Sequence, residues 1–105
     1  MPQKYIFETN EIRATGYYEN GRNGEFIVEK GSTAVGDMRL GNSFIERPEN
    51  EGRRYLRQKL IQEGKLRSNG DFLIFTEDVP FNSPSQAATI IAGSNQNGLK
   101  VFGIT

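Results

Sequence analysis

Cysteine, tryptophan and histidine are all absent from this sequence. Without cysteine there is no disulfide framework, no thiolate nucleophile, and no zinc or iron–sulfur site built on thiolates. Without histidine, a Ser-His-Asp triad and imidazole acid–base catalysis are excluded as well. Long hydrophobic runs are missing too. Stretches such as Phe72-Leu73-Ile74-Phe75 fall far short of the ~20 residues that span a bilayer. The start, Met1-Pro2-Gln3-Lys4-Tyr5, has no apolar region of the secretory kind, so the expected address is the cytoplasm, with no membrane partner. Nor does one sign of charge prevail, since 13 basic residues balance 13 acidic ones.

What is present is 105 residues, 35% of them apolar, which is enough for one domain spanning 1–105 with one modest core. The 12 glycines are scattered as punctuation rather than pooled in a linker, and no internal repeat is visible.

Hydrophobic patterning sets the expected elements. Tyr5 to Glu8 reads as a short strand. Ile12, Ala14, Gly16 and Tyr18 alternate with polar neighbours, as a half-buried strand does. Asn20-Gly21 signals a hairpin turn. Phe26-Ile27-Val28 suits a strand covered on both faces. The stretch from Gly31 to Ala34 reads as a turn, and from there to Arg47 as a loop with at most a short strand or turn. Pro48, followed by Glu49 and Glu51, opens a helix that runs to Glu63 and ends at Gly64. Leu56 and Leu60 share its apolar face, flanked by Arg53 and Arg57. Leu66 and Phe72 to Phe75 read as strand, separated by a Ser68-Asn69-Gly70 turn. Ser83, Pro84 and Gln86 form a helix start with a capping box, and Gly93 ends that helix. Leu99, Val101 and Gly103 alternate with their neighbours as a final strand would. The order β-β-β-α-β-α-β predicts an α+β domain with a mostly antiparallel sheet and two helices packed on one face.

Three kinds of chemistry deserve weighing. The carboxylates Glu25 and Glu29, or Asp71 with Glu77 and Asp78, are candidates for a hard cation. No spacing matches an EF-hand loop, and acidic residues in turns more commonly serve as caps. Gly31-Ser32-Thr33 follows a strand but lacks the Gly-x-x-x-x-Gly-Lys-Ser/Thr pattern of a nucleotide-binding loop; it leaves a turn able to present N–H groups and hydroxyls to a phosphate. The charge distribution is more informative. Arg53, Arg54, Arg57, Lys59, Lys65 and Arg67 cluster around a single acid, Glu63, whereas the first half of the chain is net acidic. The balanced total therefore conceals a polarised sequence, which matters to a polyanion. The ordinary alternative is a solvated helix face with Glu49–Arg53 and Lys59–Glu63 pairs.

Four segments carry a family resemblance: Phe26 to Ser32, the Arg-x-x-Leu-Ile-x-x-Gly-x-Leu run from Arg57 to Leu66, Phe72 to Asp78, and Phe81 to Ala88 continuing to Asn97-Gly98. Together they resemble the uncharacterised domain appended to GIY-YIG endonuclease-type and restriction-associated proteins, which is in turn similar to the RAMA domain. Leu99 and Phe102 stand where that family commonly carries tryptophans. The resemblance implies a non-enzymatic, DNA-associated module that senses modified bases, with no cofactor and with the nuclease or methylase in a separate domain. On that basis the expected DNA contacts are Lys30, Ser32 and Thr33, the helix start at Ser83, Ser85 and Gln86, and the loop residues Asn95, Asn97 and Lys100, with Arg53, Arg54 and Arg57 on phosphates. The first rival is an adaptor that docks a nuclease or methylase through an apolar sheet face. The second is a metal-dependent hydrolase using Glu25, Glu29 and Asp78.

Overall fold

Period-two burial organises the first hairpin. In a computed structural model, which describes residues 2–105, β1 (Lys4–Glu8) pairs antiparallel with β2 (Arg13–Tyr18). Ala14 and Gly16 point inward, while Arg13 is exposed. Across a loop of residues 19–25, in which Gly24 N donates to Gly21 O, β2 pairs antiparallel with β3 (Phe26–Val28), whose three residues are all buried. The chain then makes β4 (Thr33–Val35), a 3-10 turn (Asp37–Arg39), α1 (Asn42–Glu46), a second 3-10 turn (Pro48–Asn50) and α2 (Glu51–Gln62). The hairpin β5 (Leu66–Asn69) and β6 (Phe72–Phe75) follows, then β7 (Val79–Phe81), α3 (Pro84–Ala92) and α4 (Gly98–Val101).

The domain is α+β, and every strand pairing is antiparallel. The strands form two sheets, β1-β2-β3-β7 and β4-β6-β5, rather than one continuous sheet. α3 supplies the centre of the core: Ala87, Ala88, Ile90 and Ile91 are fully buried, and the helix packs on β3 and β7 of one sheet, on β4 of the other, and on α2. The inner face of the larger sheet contributes Phe7, Phe26, Val28, Val79 and Phe81 to this core. The opposite face carries the exposed Lys4, Ile6, Glu8 and Arg13, while Ile27 on the same face is buried.

The Lys30-Gly31-Ser32 segment forms the corner between the sheets. Gly31 adopts φ 92°, a conformation in which a Cβ is strained. Ser32 Oγ accepts a hydrogen bond from Thr15 N of β2 (3.0 Å), and its carbonyl accepts one from Phe75 N of β6 (2.8 Å). Lys30 N donates to Asp78 Oδ1 (2.8 Å), tying together the two chain crossings between the sheets.

The structure departs from the sequence expectation in several segments: Val79–Phe81 forms β7 where no strand was expected, and Ser68 and Asn69 belong to β5 rather than to a turn. Residues 34–47 hold a strand, a 3-10 turn and a short helix. Thr33 and Ala34 belong to β4 rather than to a turn. The C-terminal segment is α4, not a strand. Asn97 caps α4 by accepting from Lys100 N, and the chain leaves it through Gly103 N→Lys100 O and Ile104 N→Leu99 O, the hydrogen-bond pattern of a Schellman motif. Phe102 lies in the core, edge-to-face against Phe26 and Phe7 with centroids 4.8 and 5.7 Å away, while Leu99 remains exposed.

Candidate functional site

The expected site residues fall into three places. Lys30, Ser32 and Thr33, with Arg13, Thr15 and Glu29, line an open cleft of about 280 Å³ at the sheet corner. The second group, Ser83, Ser85, Gln86, Asn97 and Lys100, gathers where α3 meets α4. In the β3–β7 register, Val79 lies opposite Val28 and Phe81 opposite Phe26. Lys30 and Ser83 therefore lie beyond opposite ends of one ladder, roughly 20 Å apart along the strand direction. The third group, Arg53, Arg54, Arg57 and Asn95, lies between α2 and its neighbours.

Backbone donors at the corner are already engaged. Gly31 N donates to Phe75 O and Ser32 N to Glu29 O. Thr33 Oγ1 accepts from Arg13 N and donates to Arg13 O. What remains outward is the Lys30 ammonium, which among the described residues has no carboxylate within salt-bridge distance. Behind it, Glu29 holds Lys4 at 2.8 Å. The hydrogen bond and charge of Glu29 raise the Lys4 pKa above its ordinary value. Burial, followed by the charges of Asp78, Glu19 and Glu29, raises that of the Tyr17 phenol.

The α3 start is closed by its own chain. Ser83 Oγ accepts from Gln86 N (3.1 Å), and Gln86 Oε1 accepts from Asn82 N (2.8 Å), a capping box displaced by one residue. Ser85 Oγ accepts from Gly98 N (2.9 Å). A Cβ on Gly98 would lie 2.1 Å from the Pro84 carbonyl carbon, so the Asn97-Gly98 and Ser83-Pro84-Ser85 segments form one joint. Asn97 Oδ1 serves the α4 cap.

The arginines turn inward. Arg57 is 3% exposed; it donates to Ile90 O (3.2 Å), Val35 O (2.9 Å) and Asp37 Oδ1 (3.1 Å). Arg54 donates to the carbonyls of Phe44 and Arg47, at 2.8 Å each. Arg53 donates to Asn50 Oδ1 and Thr89 Oγ1 (3.3 Å each) instead of pairing with Glu49. Asn50 and Thr89 are fully buried, and Asn50 Nδ2 reaches Asn95 Oδ1 (2.6 Å) and Ser43 O (2.9 Å). Sequence reasoning missed this polar network. Asn50 at a helix start was its signal, but such a residue reads as a cap rather than as a hub. The guanidinium groups expected on phosphates thus hold α2 to α1, α3 and β4, with Arg57 withdrawn into the core. Glu63 pairs with Lys65 (3.5 Å) rather than Lys59.

For the carboxylate set, Glu29 is held by Lys4 and Asp78 by the Lys30 N–H. Among the described residues no three acidic groups converge to hold a cation. Nor is any helix among them long and apolar enough to cross a membrane.

The exposed apolar groups lie elsewhere. Met38, 96% exposed, crowns the 3-10 turn after β4. On one side of that turn is a groove of about 480 Å³ lined by Arg39, Ser68, Asp71, Phe72 and Leu73. On the other is a groove of about 350 Å³ lined by Leu40, Phe44, Ile45, Arg54 and Gln58, and Asp37 borders both. Ile45 is 50% exposed at the rim. Because the sequence around Met38 has no clear periodicity, nothing there marked a surface feature.

Fold and surface together define a small two-sheet α+β domain in which the motif residues act as structural joints. The family described as a domain of unknown function (DUF4357) matches residues 5–102, and the chain belongs to it. No curated protein matches the chain, and no solved structure does.

Proposed function

We propose that this chain is a non-enzymatic binding module that docks a partner protein through the Met38 crest and the two grooves beside it. The observation carrying this reading is Met38 itself: a long apolar side chain held almost wholly in water at the edge of the groove it lines with Phe72 and Leu73, on the turn whose Asp37 also borders the groove of Ile45. Exposed apolar surface marks an interaction site when it is contiguous, and Phe72 and Leu73 in the adjoining groove extend that of Met38. One groove is bordered by the β5–β6 hairpin and the other by α1 and α2, so the surface is not the outer face of the larger sheet. The resemblance to domains appended to restriction-associated proteins makes a nuclease or DNA methylase the favoured partner class, with the cytoplasm as its setting. Calorimetric titration against a candidate nuclease or DNA methylase tests this. The Met38→Glu/Ile45→Glu variant is expected to abolish binding while melting at the native temperature. Full binding by that variant would sink the reading.

A second reading, DNA contact that extends to modified bases, is favoured by the unpaired Lys30 ammonium over the Arg13–Thr33 cleft. Ser83, Ser85, Gln86, Asn95, Asn97 and Lys100 enter it only where they have atoms left over from their internal hydrogen bonds. Titration of methylated and unmodified duplexes at low and physiological salt separates the two readings. Salt-dependent binding that is lost in Lys30→Ala/Arg13→Ala favours DNA, and no binding at low salt removes it.

A further inference from the structure

The outward face of α2 carries a pattern that nothing within the monomer uses. Glu51, Gly52, Tyr55, Gln58, Lys59 and Gln62 are all exposed and recur at helical spacings of three and four. Tyr55, at the middle of this stripe, is 72% exposed. Glu51 lies one turn before it and Lys59 one turn after, and among the described residues neither has an ion-pair partner. Gly52 has a helical φ, and a Cβ there would meet nothing within 4 Å. Gly52 sits in the first turn of α2, where glycine costs less than the ~1 kcal/mol relative to alanine of a helix interior, and the monomer supplies no steric reason for it.

An antiparallel copy of the same helix accounts for all four features. With Tyr55 on the two-fold axis, Glu51 of each copy faces Lys59 of the other, and Gly52 faces Gln58. A two-fold interface must be self-complementary, and this charge order is. The missing side chain at Gly52 leaves room for Gln58 across the axis. Tyrosine at the centre is the side chain such contacts favour.

We propose that α2 is a self-association seam through which two copies of this chain pair antiparallel about Tyr55. The seam goes beyond the partner-docking reading. It shares Gln58 with the rim of the Ile45 groove but uses neither Met38 nor Ile45. A helix of 12 residues against its copy buries less than the ~1,600 Å² of a standard interface, so the dimer is weak and concentration-dependent.

Sedimentation equilibrium from micromolar to millimolar protein tests the seam, with circular dichroism to verify each fold. The native mass rises from the 11.8 kDa monomer toward the dimer. Glu51→Lys alone and Lys59→Glu alone each place like charges opposite one another twice, weakening association at least about tenfold. Mixing those two single variants restores pairing, because every facing pair is then attractive. The double variant restores it as well. A native protein that stays monomeric to millimolar concentration, or single reversals that leave the dimer unchanged, would overturn the seam. A dimer that survives Met38→Glu separates it from the docking surface.

Discussion

At the α3–α4 joint and the sheet corner, the residues of the recognisable motifs are hydrogen-bonded within the chain. Along the Met38 turn and the outer face of α2, the prominent side chains have no internal use. The first region is where the sequence looked most functional, and the second is where it looked least distinctive. Residue pattern and fold explain the contrast. Ser83-Pro84-Ser85 and Asn97-Gly98 are a recognisable pair because two backbones meet there at a distance only glycine allows. Lys30-Gly31-Ser32 is recognisable because one short segment must turn a corner and bond to both sheets. A motif can therefore encode a joint as readily as a ligand site.

The contrast breaks most easily at Gly98. Gly98→Ala would force a Cβ into the Pro84 peptide, with an expected loss of about 3 kcal/mol or more. At roughly 4–8 °C per kcal/mol for a domain of this size, melting should fall by more than about 10 °C. An unchanged melting temperature would show that the joint is loose. Next is Asn50→Ala, which removes the hub joining Ser43, Arg53 and Asn95 and should cost about 1–3 kcal/mol in urea unfolding. Ser85→Ala, which frees only the Gly98 N–H, should cost about 1 kcal/mol. Met38→Glu is expected to shift stability by less than about 0.5 kcal/mol while removing partner binding, which is the opposite profile.

A smaller effect concerns alkaline pH. Lys4 and Tyr17 both have folded pKa values raised above their ordinary 10.5 and 10.0. Each favours its protonated form in the folded state, so their contribution is complete below the unfolded values and fades as pH rises through the folded ones. Phenolate absorbance should place the Tyr17 midpoint above that of free tyrosine, and Glu29→Gln should lower the Lys4 midpoint. An unshifted Tyr17 would mean that its phenol is hydrated and the carboxylates near it are screened.

Much of the fold was legible. Alternation marked β2, and Ser83, Pro84 and Gln86 marked the start of α3; the hairpin after β2 was foreseen, though its turn lies at Gly21–Gly24 rather than at Asn20-Gly21. The C-terminal helix was not, because Leu99 and Val101 alternate like a strand while its real signals, the Asn97 cap and Gly103, are short-range and easily outvoted. The division into two sheets was invisible for a similar reason, since it depends on one glycine corner and on long-range hydrogen bonds. The inward turn of Arg53, Arg54 and Arg57 was also hidden. Helical spacing places a residue on a flank but does not say which carbonyls of α1, α3 and β4 await it.

Arg57 decides the account most directly. Urea unfolding of Arg57→Leu, measured alongside duplex titration, is expected to show a loss of about 3 kcal/mol, because the Val35 and Ile90 carbonyls lose their buried donor. Native stability combined with weakened duplex binding would contradict the account, placing that guanidinium in water and restoring the arginines to a nucleic-acid surface.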